Sequence, residues 1–185
     1  CRDAAKVLLE GPLCDSCASS GTELREQRIL PILWRPAVLA WNQSWANELG
    51  FDQAPLSRSE LWQQASAGLK VSLQDWDYEN DGTGGLLLSH SAESALAWYA
   101  AFDGNFDSAS GANPFDPEAL ESALTYLKNL FGENRSWNQG YLSAQSYFAG
   151  RWALFYEASL EDIPLLEGTL SSLENKDSYR LIAYP

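Results

Sequence analysis

The sequence has no run of about 18 or more apolar residues, and it contains a single histidine, His90. A chain without such a run encodes no transmembrane helix of the usual kind. Around His90 there is no Ser-His-Asp order, and the sequence shows neither a cluster of metal ligands nor a glycine-rich phosphate loop. We therefore expect a globular protein that uses no metal and no cofactor.

Basic residues are also scarce. Twelve lysines and arginines stand against 25 aspartates and glutamates, which gives a net charge of −13 at pH 7. Nucleic-acid phosphates and anionic membrane surfaces both attract basic faces, so neither is expected as a partner. Solubility is the simplest explanation of the negative charge.

The three cysteines, Cys1, Cys14 and Cys17, all lie within the first seventeen residues. Cys14 and Cys17 have CxxC spacing, but a zinc site needs further ligands and a thioredoxin-type motif follows a strand. This pair lies in a segment rich in Gly, Pro and Ser, which favours a local disulfide in an exported protein. Cys1 is either a lipid-carrying N-terminal cysteine or the boundary of a fragment.

Aromatic residues are plentiful, with eight tryptophans and eight tyrosines among 185 residues. Such residues usually fill a hydrophobic core. They also suit a sugar site, since the C–H faces of a pyranose stack on flat amphipathic rings. At any single tryptophan the sequence favours the core.

Apolar runs and helical periodicity alternate along the chain, which predicts an α/β domain with a largely parallel (mixed) sheet and helices layered on it. Glycines and prolines bound most elements. The predicted strands are Ala37–Asn42, Gly85–Ser89, Trp152–Tyr156 and Tyr179–Tyr184. Ile29–Trp34 is predicted to be either a further strand or a crossover segment. One predicted helix follows Asn42, and a second begins near Ser57 or Ser59. A third runs to Phe102, and a fourth extends from the N-cap Asp116 to Gly132. A fifth occupies Leu160–Leu173 with an interruption at Pro164.

The most informative stretch is Tyr141–Glu157, which reads as a short helix, a glycine stop and a strand. Gly150 is predicted to end the helix with a positive φ. The apolar run that follows suits a strand buried on both faces. Because ligands of α/β sheets bind outside the carboxyl ends of strands, Glu157, Ala158 and Ser159 become candidates for contact.

Four pieces of the sequence together resemble known proteins. They are Ala37–Asn42 with its short helix and Gly50, Pro55–Leu61, Ala101–Asn105 followed by Phe115–Ala119, and Phe148–Leu154. In this order they resemble the extracellular solute-binding proteins of ABC importers, and within them the family that includes maltose-binding protein and other sugar binders. The resemblance covers about residues 29–185, while residues 1–28 match poorly.

The resemblance implies a periplasmic-binding-protein architecture, in which two lobes clamp the ligand between them. This chain would be the second lobe. Residues 29–185 would form that periplasmic-binding-protein-like lobe, and residues 1–28 would form a helix end and a cysteine-containing insertion loop. The implied partners are a small solute, with a sugar favoured, the first lobe of the same protein and the ABC permease. The implied protein is a monomer outside the cytoplasm, in the periplasm or at the cell surface, with a lipid anchor left open.

The same resemblance implies which residues contact ligand. Trp34 would be a stacking platform or hinge packing, and Arg35 would bind hydroxyls or a carboxylate, or pair with a surface acid. The remaining implied contacts are Ser91, Glu93, Ser94, Glu157 and Ser159. Serine and glutamate at a helix start are equally explained as caps, and Glu157 as an exposed acid at a strand end. Arg35 leaves a charged ligand open.

Two functions therefore compete. The leading one is passive capture of a solute for import, in which hinge closure on the ligand stabilises the closed state and no catalytic group is needed. The alternative is a carbohydrate-active enzyme that uses paired carboxylates. With 25 acidic residues some close pair is inevitable, so the sequence carries no specific signal for it.

Overall fold

The structure of the protein is a computed structural model, which describes residues 36–76, 78–89, 91–105, 115–138 and 142–185. All of these residues belong to one compact unit. Several predictions fall outside the described residues. These are the segment Ile29–Trp34, the contacts Trp34 and Arg35, the Cys14–Cys17 pair and the boundary at residue 28. Those predictions therefore stay predictions.

Strands and helices alternate along the chain, as the sequence predicts. The strands are β1 (Ala37–Asn42), β2 (Gly84–Leu88), β3 (Ser136–Asn138), β4 (Ala153–Ser159) and β5 (Tyr179–Ile182). The helices are α1 (Gln43–Glu48), α2 (Arg58–Ser72), α3 (Ala92–Ala101), α4 (Pro117–Gly132), α5 (Ala144–Ala149) and α6 (Ile163–Ser172), with a 3-10 turn at Leu160–Asp162. None of the helices within the described ranges is long and apolar enough to cross a membrane.

The five strands form one mixed sheet in the order β3-β2-β4-β1-β5. Strands β3, β2 and β4 are parallel, and β1 is antiparallel to both β4 and β5. All strands except β1 therefore point the same way, which confirms the predicted fold class. The carboxyl ends of β2, β3, β4 and β5 meet the start of β1 at one margin, which we call the carboxyl edge.

Helices cover both faces of the sheet, and each face has its own buried cluster. Helices α1 to α4 pack over Leu39, Trp41, Leu86 and Phe155, while α5 and α6 pack over the opposite face. Residues Ala153–Tyr156 of β4 are fully buried or nearly so. This confirms that the apolar run after Gly150 is a central strand covered on both faces.

Helix starts follow the predicted capping chemistry. Ser57, not Ser59, is the N-cap of α2, and it forms a capping box with Glu60. Asp116 caps α4 and accepts a hydrogen bond from the Glu118 backbone N–H at 2.9 Å, with Pro117 in the first turn.

Several local predictions are wrong. Gly150 is the C-cap of α5, as predicted, but its φ is an ordinary −82° and the positive φ falls on Arg151 at 61°. Pro164 lies in the first turn of α6, where proline is tolerated, so it does not interrupt a helix. Helical spacing in α4 also predicts a buried stripe of Leu120, Ala123, Leu124, Leu127, Leu130 and Phe131. This stripe is too wide, because Leu124 and Phe131 are 57% and 52% exposed.

The contact between α2 and β2 depends on two glycines. A Cβ on Gly68 would lie far inside van der Waals contact of the Gly84 carbonyl oxygen, and Gly84 itself has a φ of +93°. Backbone therefore packs directly against backbone here, which leaves no room for a side chain.

We expect Gly68→Ala to destabilise the chain by about 1–3 kcal/mol, because the extra methyl group forces α2 away from the sheet. Gly168→Ala in α6 is the matched control: an added Cβ there meets nothing within 4 Å. It should stabilise the chain by about 0.5–1 kcal/mol. Urea denaturation of the two variants measures both effects, and equal stabilities would contradict this packing.

Arg151 follows the C-cap of α5 and adopts the left-handed backbone that commonly ends a helix, and two carboxylates hold its side chain. Its guanidinium donates to both carboxylate oxygens of Asp177 at 2.8 and 2.7 Å and to Glu48 at 2.7 and 2.9 Å. Asn42 donates to Asp177 as well, at 2.9 Å. The network thus joins the end of β1, α1, the turn before β4 and the segment before β5.

The hydrogen bonds from Arg151 lower the pKa of the Asp177 carboxyl below its ordinary value, against the opposing effect of burial. A carboxyl whose pKa is depressed by folding contributes stability above its unfolded pKa of about 3.9 and loses it as the pH falls. We expect Asp177→Asn to be less stable by about 2 kcal/mol at pH 7. It should also lose less stability than the wild type when the pH falls from about 5 to 2.

Chemical denaturation at several pH values checks this. Glu121→Gln, which removes an exposed carboxylate of α4, is the control and should keep the acid dependence of the wild type. An Asp177→Asn variant with an unchanged pH profile would contradict the assignment.

Candidate functional site

The carboxyl edge contains a concavity of about 210 Å³, which we call the edge concavity. Five of the seven sequence-predicted contact residues line it, and they come from two distant segments of the chain. These are Ser91, Glu93 and Ser94 at the start of α3, and Glu157 and Ser159 at the end of β4. Ala37, Ser89, Ala158, Asp162 and Tyr184 complete the lining.

Glu157 lies inside β4 and not beyond it, because the strand continues to Ser159. Its carboxylate accepts hydrogen bonds from the Ser89 backbone N–H, from Ser94 Oγ at 2.7 Å and from Trp98 Nε1 at 2.6 Å. The interpretation of Glu157 as a simple exposed strand-end acid is therefore wrong. Glu157 holds the end of β2 and the start of α3 against β4.

Ser91 and Ser94 also serve the protein framework. Ser91 is the N-cap of α3 and accepts from the Ser94 backbone N–H at 3.0 Å, as the capping alternative predicts. Ser94 is buried and donates its hydroxyl to Glu157. That either also contacts a ligand stays a prediction.

Glu93 and Ser159 are placed differently. Glu93 is exposed in the first turn of α3, and no described residue donates a hydrogen bond to its carboxylate. Ser159 donates from its backbone N–H and its hydroxyl to one oxygen of Asp162, at 2.7 and 3.1 Å. Of the five predicted residues in the concavity, Glu93 is thus the one whose side chain is most available to a ligand.

Three residues of the lining, Tyr184, Asp162 and Ser89, are not among the contacts that the sequence predicts. Tyr184 follows β5 at the carboxyl edge and packs edge-on against Trp98, with ring centroids 4.9 Å apart. Burial and then the charge of Glu157 raise the pKa of its hydroxyl, which stays a neutral donor at physiological pH. Its position at the end of the last predicted strand was the available signal, since strand ends meet at that edge.

Carboxylates dominate the charge of the edge concavity. Glu93, Glu157 and Asp162 line it, and no described lysine or arginine does. Such a surface repels anions and offers acceptors to hydroxyl groups. Within the described residues no group of three or more His, Cys, Asp or Glu side chains is arranged to hold a metal ion. Arg35, the predicted basic contact, lies outside the described residues.

Comparison with known proteins gives a result at the level of structure alone. No family model matches the sequence, and no curated protein matches it. Among solved structures, UgpB from Mycobacterium tuberculosis, in complex with glycerophosphocholine, matches with a TM-score of 0.62 at 14% identity. That match covers 82% of this chain and 36% of UgpB.

Two further structures agree. The GacH receptor of Streptomyces glaucescens, solved unliganded and with acarbose, gives a TM-score of 0.61 at 16% identity over 96% of this chain and 46% of its own. An ABC transporter solute-binding protein from Thermotoga lettingae, bound to α-D-tagatose, gives 0.58 at 20% identity over 80% and 39%. The fold is that of one solute-binding-protein lobe. The chain spans less than half the length of each of these structures.

We expect Glu157→Gln to destabilise this lobe by about 2 kcal/mol, because an amide NH₂ would face donors that a carboxylate accepts. Glu93→Gln, on the same concavity but exposed, should cost less than about 1 kcal/mol. Urea denaturation measures both, and the indole N–H signal of Trp98 should shift in the first variant alone. A Glu157→Gln lobe as stable as the wild type would contradict the anchoring role.

Proposed function

We propose that this chain is the second lobe of a two-lobed solute-binding protein of an ABC importer, and that it binds a small polyhydroxylated solute, a sugar or oligosaccharide, at the edge concavity. One observation carries the proposal. Polar residues from two segments more than sixty positions apart meet in one concavity at the carboxyl edge of a lobe with this fold.

The charge of the concavity supports the solute class. Sugar hydroxyls donate well to carboxylates, and the carboxylate of Glu93 is exposed at the rim. The related structures were solved with glycerophosphocholine, acarbose and tagatose, which all carry hydroxyl groups. An anionic solute is disfavoured by the three lining carboxylates.

The mechanism is closure of two lobes on the ligand. The ligand bridges this lobe and a first lobe of the same protein, and its contacts stabilise the closed state. An ABC permease then distinguishes closed from open protein by the lobe surfaces. In this proposal the protein is monomeric and works outside the cytoplasm, with Cys1 as a candidate lipid-bearing residue and Trp34 and Arg35 as further contacts.

We propose binding without catalysis. The carboxylate of Glu157 is engaged by three protein donors, so it is poorly placed to act as one member of a reactive acid pair. Hydrolysis assays on glycan panels test the alternative directly. Turnover of any glycan by the purified protein, lost in Glu93→Ala, would replace the binding proposal by the enzymatic one.

We expect NMR titration of the ¹⁵N-labelled chain with a panel of mono- and disaccharides to give weak, saturable shifts at the start of α3 and the end of β4. Weak affinity is expected because a single lobe supplies part of the contacts. Glu93→Ala should lower the affinity about tenfold, since a charge-assisted hydrogen bond is lost. Its stability should change little.

Glu118→Ala is the matched control, because Glu118 is also an exposed acid in the first turn of a helix, α4, but lies outside the edge concavity. It should bind every sugar as the wild type does. Equal losses of affinity in both variants, or shifts confined to residues away from the carboxyl edge, would contradict the proposal.

A further inference from the structure

Tyr184 lies at the carboxyl edge, just beyond the end of β5. Leu39 of β1 pairs with Ile182 of β5, and this register, continued by two residues, brings Tyr184 level with Ala37. Ala37 is paired in turn with Ser159 of β4. Tyr184 therefore reaches the edge concavity from a strand that lies two places away from β4 in the sheet.

The ring of Tyr184 is held by Trp98 of α3. The two rings pack edge-on with centroids 4.9 Å apart, and Trp98 is itself fully buried and donates from Nε1 to Glu157 at 2.6 Å. A tyrosine side chain has few rotatable bonds and carries its hydroxyl in the plane of the ring, so a fixed ring fixes the position of the oxygen. The contact that joins α3 to β4 thus also positions the Tyr184 hydroxyl.

The hydroxyl of Tyr184 lies within electrostatic reach of the Glu157 carboxylate. Burial, and after it the negative charge of Glu157, raise the pKa of the phenol. Glu157 and Tyr184 both line the edge concavity. The hydroxyl therefore belongs to the polar end of the ring, beside the carboxylate on which the concavity is built.

The hydroxyl oxygen of Tyr184 is open to solvent. Within the described residues, buried side-chain atoms without a hydrogen-bond partner occur on Asn80, Ser136, Trp137 and Tyr156. The Tyr184 hydroxyl is not one of these atoms, although no described residue is hydrogen-bonded to it. It is therefore not buried, and a solute in the edge concavity can reach it.

We propose that Tyr184 contacts the solute and sets the specificity of the edge concavity, by donating a hydrogen bond from Oη to a hydroxyl oxygen of the sugar. The inference rests on the proposed function and adds a residue to its binding site. The same sugar hydroxyl keeps its own proton, which it can donate to an acceptor of the lining.

Tyr184 supplies a donor that the carboxylates lack. Ionised carboxylates accept hydrogen bonds and donate none. Two hydroxyls of the lining are already used, because Ser94 donates to Glu157 and Ser159 donates to Asp162. The phenol of Tyr184 keeps its proton at physiological pH, since its pKa is raised. Sugar hydroxyls both donate and accept, so carboxylates combined with a fixed phenol match them better than carboxylates alone.

Tyr184→Phe tests this assignment, because it removes the hydroxyl and keeps the ring on Trp98. The matched control is Tyr126→Phe. Tyr126 packs on the same indole with ring centroids 5.6 Å apart, but its hydroxyl donates to the Arg58 carbonyl at 2.9 Å and it does not line the edge concavity. Both variants and the wild type are titrated by NMR with D-glucose, D-galactose, maltose and the four monodeoxyglucoses, and their melting temperatures are measured without sugar.

We expect Tyr184→Phe to bind the sugars about 5- to 10-fold more weakly. It should melt within about 2 °C of the wild type, since no described residue loses a hydrogen bond. One deoxyglucose should bind the wild type more weakly than D-glucose does, and Tyr184→Phe should abolish that difference. Tyr126→Phe should melt lower and bind as the wild type does.

Three other outcomes overturn the inference in distinguishable ways. If the sugars bind Tyr184→Phe as they bind the wild type, with the same deoxy preference, Tyr184 is no contact and the proposed function stands. If Tyr184→Phe melts as far below the wild type as Tyr126→Phe does, its hydroxyl serves the protein framework and the assignment is wrong. If none of the sugars shifts the wild-type signals at the carboxyl edge, the proposed function fails and the assignment fails with it.

Discussion

Three donors from the end of β2 and from α3 meet at the carboxylate of Glu157, near the end of a central strand. A buried carboxylate without partners is costly, whereas one that accepts several hydrogen bonds holds its surroundings in place. Because Ser94 and Trp98 both belong to α3, this contact fixes the orientation of that helix relative to β4. Glu93 and Ser91 are presented at the rim of the edge concavity as a consequence.

The mixed sheet explains why one edge collects these residues. Strand β1 is the reversed one, so its first residue lies beside the last residue of β4, with Ala37 paired to Ser159. The residues after β5 reach the same edge, which brings Tyr184 against Trp98. At the opposite end of β4, the Arg151 network and the packing of Gly68 on Gly84 hold the helices to the sheet. A framework held together at one end of the sheet thus supports a polar edge at the other, which suits the hinge closure that we propose.

Much of this could be predicted from local sequence. The bounds of β1, the Asp116–Pro117 helix start and the burial of the run after Gly150 follow from periodicity and capping, which act over a few residues. Long-range interactions decided the rest. The side chain of Arg151 joins Asp177 and Glu48, which lie far from it in the sequence, and Leu124 and Phe131 are exposed because no described element covers that part of α4.

The candidate site divides in the same way. Strand ends gave Ser91, Glu93, Ser94, Glu157 and Ser159, which the fold brings together at one edge. The separate role of each residue could not be predicted, since whether a carboxylate faces protein donors or solvent depends on residues 59 to 68 positions away.

We propose that the carboxyl edge of this lobe is the surface that binds solute. Hydrogen–deuterium exchange of the chain, with and without a saturating sugar that binds it, locates that surface. We predict slower exchange confined to the peptides that contain Ser89–Glu93 and Glu157–Asp162, with the Arg151 network unchanged. Protection confined to the opposite end of β4, or spread evenly over the chain, would contradict the account.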